Sequence, residues 1–178
     1  MEDLHAGGFF NMDCMQGMKH FEDGFFDLAI VDPNYGIGIS KNPVRQKHAK
    51  KEWDNKPPEA GYFKELFRVS KNQIIWGGNY FELPPTQNYI VWDKEQPEDL
   101  TLAMCEIAWC SIQRPAKIFR YSVLKEKNKI HPTQKPVALY AWLLSKYAKR
   151  GDKILDTPRR ERVKPYRVPQ CGLFILGL

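Results

Sequence analysis

No apolar run in this sequence reaches the roughly 18 residues that a membrane-spanning helix needs, so no membrane span is expected. The opening residues, Met1-Glu2-Asp3-Leu4-His5, are acidic where a secretory signal would be basic and then apolar. The four cysteines, Cys14, Cys105, Cys110 and Cys171, show none of the paired spacings that hold a structural metal. No metal is expected, and reduced thiols in a cytoplasmic, nucleoid-associated setting are the natural reading. Internal repeats are absent too. What is present is a core: apolar residues make up 43% of the chain and aromatics 13%, which excludes a disordered polymer. A length of 178 residues fits one domain. The formal charge of +6 suits a polyanionic partner, but it is unevenly placed. Residues 158–178 carry five Lys or Arg against one Glu, so the remainder holds 22 basic and 20 acidic residues, a net +2.

The alternation of elements predicts an α/β fold with a mostly parallel sheet covered by helices. Strands are expected over Phe26–Val31, Gln73–Trp76, Asn88–Trp92, Cys105–Ile112 and, at an edge, Lys117–Tyr121; Lys153–Leu155 begins a last one. Ala60–Val69 has helical spacing, with Tyr62, Leu66 and Val69 on one face. Val137–Lys149 reads as a second helix whose buried face is Val137, Tyr140, Ala141, Leu144 and Ala148, with Gly151 at its C′ position.

The most informative segment is Asp32-Pro33-Asn34-Tyr35-Gly36. It places a carboxylate, a rigid proline and an aromatic at the carboxyl end of a buried strand, where open α/β sheets bind ligands. Asp32 can accept a hydrogen bond from an amine, Pro33 holds the backbone carbonyls still, and Tyr35 offers a flat face for stacking. These are the parts needed to grip an exocyclic amino group on a planar base. A strand-terminal Asp-Pro turn would explain the same residues without any activity.

A second segment, His131-Pro132-Thr133-Gln134-Lys135-Pro136, removes much of that ambiguity. With Asn11–Met15, Ile75–Phe81 and Ile90–Lys94 around and between them, the two segments resemble the Asp-Pro-Pro-Tyr and His-Pro-Thr-Gln-Lys-Pro motifs of the amino-group DNA methyltransferases, in the order of their β group. The likeness covers about residues 9 to 157. It implies a Rossmann-like fold, S-adenosylmethionine as methyl donor, DNA as partner, and methyl transfer to adenine N6 rather than cytosine N4. Asp32, Pro33, Asn34 and Tyr35 would be catalytic. His131, Thr133, Gln134 and Lys135 would help bind the cofactor, with Asp156 at the end of the last strand. Asp13 would contact the cofactor adenine or simply form an Asx turn. Lys41, Arg45, Lys47, Lys50 and Lys51 lie in a basic loop that contacts phosphate or is merely solvated. Trp76, Asn79, Tyr80 and Trp92 would line the base pocket or belong to the core. Asn34 stands where the family usually has proline, which loosens the loop without removing the acceptor or the ring.

The pattern fails after Asp156. A glycine-rich loop is expected there, but the chain reads Thr157-Pro158-Arg159-Arg160-Glu161-Arg162, with no glycine before Gly172. Residues 1–157 therefore read as a partial catalytic domain, incomplete at its C-terminal side, and 158–178 as an aberrant basic tail, explicable by a frameshift. If the arginines use CGN codons, reading one nucleotide later permits a Gly-Ser-Gly-Ser loop; AGR codons would sink the idea. Such a chain would bind its cofactor poorly. The rival readings are a non-catalytic DNA-binding remnant and a cytosine-N4 or RNA amino methyltransferase.

Overall fold

A computed structural model describes residues 8–10, 12–37, 57–100, 102–125, 134–157 and 173–177. Its strands are β1 (Gly8–Phe10), β2 (Leu28–Val31), β3 (Gln73–Trp76), β4 (Tyr89–Asp93), β5 (Cys105–Cys110), β6 (Lys117–Arg120), β7 (Lys153–Asp156) and β8 (Leu173–Gly177). Its helices are α1 (Cys14–Met18), α2 (Ala60–Val69) and α3 (Val137–Tyr147). The eight strands form one sheet in the order β1-β8-β7-β2-β3-β5-β4-β6.

The sheet is mixed, which corrects the expectation of a mostly parallel one. β7, β2 and β3 form a parallel block, and β4 runs parallel to β6. The β1–β8, β7–β8, β3–β5 and β4–β5 pairs are antiparallel. The connections explain this. Parallel neighbours need a crossover, usually helical. α2 supplies one between β2 and β3, and α3 leads into β7. No helix lies between β4 and β5 among the described residues, and there the chain folds straight back, so that β5 runs antiparallel to both β4 and β3.

Side chains of the central strands alternate between two cores, as the two-residue period of a strand requires. Ala29 and Val31 of β2 face α2, whose Tyr62, Leu66 and Val69 are buried there with Met18 of α1 and Phe26. Leu28 and Ile30 face the other way, with Ile74, Trp76 and Ile154 against Leu139 and Leu143 of α3. Each fully buried Leu or Ile contributes about 1.5–3 kcal/mol by leaving water.

The α2 face is the one the sequence predicts. The α3 face is so only in part: Tyr140, Leu144 and Ala148 pack against the core, but the fully buried residues are Leu139 and Leu143, while Val137 is 72% exposed and Ala141 lies in solvent. From Val137 to Leu144 nearly every residue is apolar, so periodicity does not choose a side, and packing on the sheet does. This helix also ends two residues early, at Tyr147, with Ala148 as its C-cap. Gly151, at φ +94°, is therefore not the C′ residue but part of the turn into β7, where Lys149 N–H donates to Asp152 Oδ2 at 2.9 Å.

Helices on opposite faces, with β2 flanked by β3 on one side and β7 on the other, make the edge beyond the carboxyl ends of these strands a topological switch point. Such points are where open α/β sheets form ligand crevices. Asp32 follows β2, Asp156 closes β7 and Gly77 follows β3.

Candidate active site

The loop after β2 is organised by its own side chains. Tyr35 Oη donates to Asp32 Oδ1 at 2.7 Å. Gly36 turns the chain at φ +72°. The Tyr35 ring stacks on Tyr80, with centroids 5.1 Å apart and planes 20° apart, and meets the edge of Phe81 at 6.2 Å. Gly77, at φ +69°, lets the backbone after β3 approach so closely that a Cβ there would overlap Tyr35 Cε1, Cδ1 and Cζ. Tyr35 thus does two things. Its hydroxyl orients the carboxylate, and its ring is held between a glycine and Tyr80, itself 47% exposed.

The other Asp32 oxygen belongs to Lys135. Lys135 Nζ lies 2.7 Å from Asp32 Oδ2, 3.1 Å from Glu106 Oε2 and 3.3 Å from Tyr35 Oη, with its side chain only 3% exposed. The same ammonium sits 5.1 Å from the Trp76 ring centroid and 5.9 Å from that of Tyr35, close enough for cation–π attraction. Glu106, on β5, accepts at Oε1 from Lys94 Nζ at 2.8 Å. Two ammonium groups and two carboxylates therefore alternate across the strand ends.

A third carboxylate is not neutralised in this way. Burial, together with the charge of Asp32, pushes Asp156 up to about 7, against a weaker opposing pull from Lys135. Burial likewise raises the Tyr140 hydroxyl well above its usual range, with Asp156, Asp32 and Glu106 adding to the effect. Glu106 goes the other way: the Lys135 and Lys94 charges overcome its burial and hold it at about 2.

Opposite pH dependences follow. Asp156 binds its proton more tightly folded than unfolded, so its contribution is complete below about 4 and is lost as pH rises through about 7. Glu106 binds its proton more weakly folded, so its contribution holds above about 4.5 and is lost as pH falls towards 2. Asp156→Asn is expected to flatten the loss of stability between pH 4 and 7, by up to about 3 kcal/mol, in urea denaturation at a series of pH values. An unchanged slope would mean that Asp156 is not buried beside Asp32.

The remaining predicted residues fall in three groups. Gln134 is half-buried one residue before Lys135, and Asp156 lies near enough to Lys135 to feel its charge. Asp13 caps α1, accepting from Met15 N–H at 2.9 Å and Gln16 N–H at 3.2 Å. Asp13→Ala is expected to cost about 1 kcal/mol and Asp13→Asn much less, measured by thermal denaturation. His131, Thr133 and the basic residues Lys41, Arg45, Lys47, Lys50 and Lys51 lie outside the described residues.

Of the aromatics, Tyr80 stands at the site. Trp92 is core, its indole N–H donating to Tyr121 O at 2.9 Å. Trp76 is buried under Lys135, and among the described residues its Nε1 has no hydrogen-bond partner. Sequence reading missed Glu106. The available signal was a lone acid inside the apolar strand Cys105–Cys110, which is uncommon unless the charge is paired.

No family model matches the chain. Over 81% of its length it is 25% identical to the Type II methyltransferase M2.MboI of Moraxella bovis, covering 72% of that protein. A solved structure from Thermus thermophilus, described as a DNA modification methylase, superposes with a TM-score of 0.45 at 16% identity, covering 81% of this chain and 76% of that one.

Proposed function

We propose that this chain is a DNA amino methyltransferase of Rossmann-like fold, acting on adenine N6. The observation that carries the reading is the Asp32 carboxylate at the end of β2, with Tyr35 Oη fixed on one oxygen and Lys135 Nζ on the other. The homology to a type II methyltransferase over four fifths of the chain supports methyl transfer as the reaction.

The chemistry needs little more than positioned acceptors. The lone pair of an exocyclic amine is delocalised into its ring. Asp32 Oδ1 has a lone pair left beside Tyr35 Oη and can accept one amine proton, and the Pro33 carbonyl can accept the other. With both protons drawn aside, the nitrogen lone pair is free to point out of the ring plane. The nitrogen gains a methyl group and loses one proton, for which Asp32 is the base within reach. Preorganisation of these acceptors, not a strong base, supplies the rate.

S-adenosylmethionine would supply the electrophilic methyl group. The residues at the crevice fit its cationic end: burial and the charge of Asp32 make a charged Asp156 costly there, which a positive ligand would relieve. Gln134 and Asp156 would hold it, with His131 and Thr133 from the same motif. A base must leave its duplex to reach Asp32. Tyr80, half in solvent on the face of Tyr35, would swing aside or carry the base on its own outer face. Lys41, Arg45, Lys47, Lys50 and Lys51 would contact phosphates.

Residues 158–178 would be out-of-frame sequence in place of the glycine loop, of which Leu173–Gly177 nonetheless pairs with β7 and β1 as β8; cofactor affinity is then expected to be weak and to rise when the shifted frame is restored. The test is incubation with methyl-labelled S-adenosylmethionine and duplex DNA or RNA, followed by digestion to nucleosides. Label in N6-methyladenine from DNA is expected. Label in N4-methylcytosine or in RNA would move the specificity. DNA binding with no label in any nucleoside would leave a non-catalytic remnant.

A further inference from the structure

We infer that Glu106 is a positioning residue of this site: by anchoring the Lys135 ammonium, it sets the rotation of the Asp32 carboxylate. The inference deepens the reading of Asp32 as amine acceptor and rests on it.

An ammonium has three N–H donors and no acceptor. Lys135 has three oxygen neighbours within hydrogen-bond range, Asp32 Oδ2 at 2.7 Å, Glu106 Oε2 at 3.1 Å and Tyr35 Oη at 3.3 Å. The Trp76 and Tyr35 rings close other approaches. Its donors are thus all committed, and the direction of each depends on the others. Glu106 is fixed in its turn by Lys94, whose side chain is 7% exposed and lies 5.3 Å from the Trp92 ring centroid. The charges form a chain from the end of β4 through β5 and the segment before α3 to the end of β2. Lys94 and Glu106 are remote from Asp32 in sequence, yet in space only Lys135 separates Glu106 from it.

Stability alone does not call for this chain. Buried ion pairs often contribute less than apolar side chains of similar volume, because each charge must be stripped of water. What the chain does supply is direction. With Glu106 in place, Lys135 is drawn towards β5 and meets Asp32 at Oδ2. Oδ1 is left to the Tyr35 hydroxyl and the incoming amine. Without the Glu106 charge, one Lys135 donor is released and the ammonium is free to tip onto both Asp32 oxygens, occupying the lone pair that the amine needs.

The experiment compares the full chain with Glu106→Gln, which keeps size and removes charge, and Glu106→Asp, which keeps charge at shorter reach. Two quantities are read: single-turnover and steady-state methyl transfer to duplex DNA, and the side-chain ammonium NMR signal of Lys135, assigned by its loss in Lys135→Met. Glu106→Gln is expected to lower kcat by about tenfold or more, as misplacement of a catalytic group does, with KM changed less than about twofold. Glu106→Asp should fall between it and the parent. The Lys135 signal, protected from water in the parent, should broaden or vanish in Glu106→Gln. An unchanged kcat would overturn the inference while leaving the methyltransferase reading standing. Should the parent transfer no methyl group, that reading fails separately, and the NMR signal decides: its loss in Glu106→Gln supports the anchoring role, and its persistence overturns it. If Glu106→Gln does not fold, the same comparison is made with Glu106→Asp.

Discussion

Asp32→Ala is expected to reduce methyl transfer by about a thousandfold or more, while S-adenosylmethionine binding changes only a few-fold. The magnitude is that of removing a principal preorganised group from a site whose chemistry is mostly positioning. The substitution deletes the proposed acceptor for the amine proton and leaves Tyr35 Oη without its 2.7 Å partner. Lys135 keeps Glu106 at 3.1 Å, so its charge is not stranded and the fold should survive. Asp32→Asn makes the argument sharper. Its amide oxygen can still accept but its amide nitrogen only donates, so either Lys135 or the incoming amine loses its acceptor. If the side chain turns its nitrogen towards the loop, the amine meets a donor and the rate falls nearly as far as with alanine. If it turns the oxygen there, much of the rate is kept. Single-turnover rates of the two variants therefore report which oxygen does the work, and an Asp32→Ala enzyme within tenfold of the parent would remove Asp32 from the mechanism.

Gly77→Ala carries the second large effect, in stability as much as in activity. Two penalties combine at this position. The backbone is left-handed, φ +69°, which costs a side chain about 1–2 kcal/mol. The new methyl group would also overlap three atoms of the Tyr35 ring, and overpacking of that kind costs about 1–3 kcal/mol more. Gly151→Ala is the natural comparison. Its φ is +94°, but a Cβ there meets nothing within 4 Å, so only the backbone penalty applies. The difference in unfolding free energy between the two variants isolates the crowding of Tyr35. Shifting that ring also pulls its hydroxyl from Asp32, so methyl transfer should fall with Gly77→Ala and not with Gly151→Ala. Equal stability losses for the two glycines would mean that the β3 loop and Tyr35 do not touch.

Different parts of this molecule were legible in the sequence for different reasons. α2 and β3 match their expected spans because one has a clean amphipathic period and the other ends at a pair of glycines. The buried face of α3 was read only in part, with Tyr140, Leu144 and Ala148 packed on the core but Leu139 and Leu143 missed, because an almost wholly apolar helix carries little directional signal. The antiparallel return of β5 was hidden because strand direction depends on connections, not on strand composition. At the site, Asp32 to Tyr35 are neighbours in the chain, so their cooperation was readable. That Tyr35 would bind Asp32 through its hydroxyl was not, since the ring alone already gave the residue a role. The Lys135 motif was visible as a pattern, but its ammonium meets partners from the end of β2 and from β5 that only the fold brings together. Lys94 and Glu106 carry no local mark beyond being charges in or beside apolar strands.

The strand order has a consequence for how this sheet is assembled in time. Among the described residues β1 pairs only with β8, and β8 in turn lies against β7. Gly8–Phe10 thus finds its sheet partner in Leu173–Gly177, far along the chain. During synthesis this pair cannot form until all the residues between the two strands have been made, while β2, α2 and β3 can already dock on one another. Contacts of such sequence separation close slowly, because a long loop must be ordered first. The β1–β8 edge of the sheet is therefore expected to form later than the β2–α2–β3 unit and to stay open to chaperones and proteases for longer in a nascent chain.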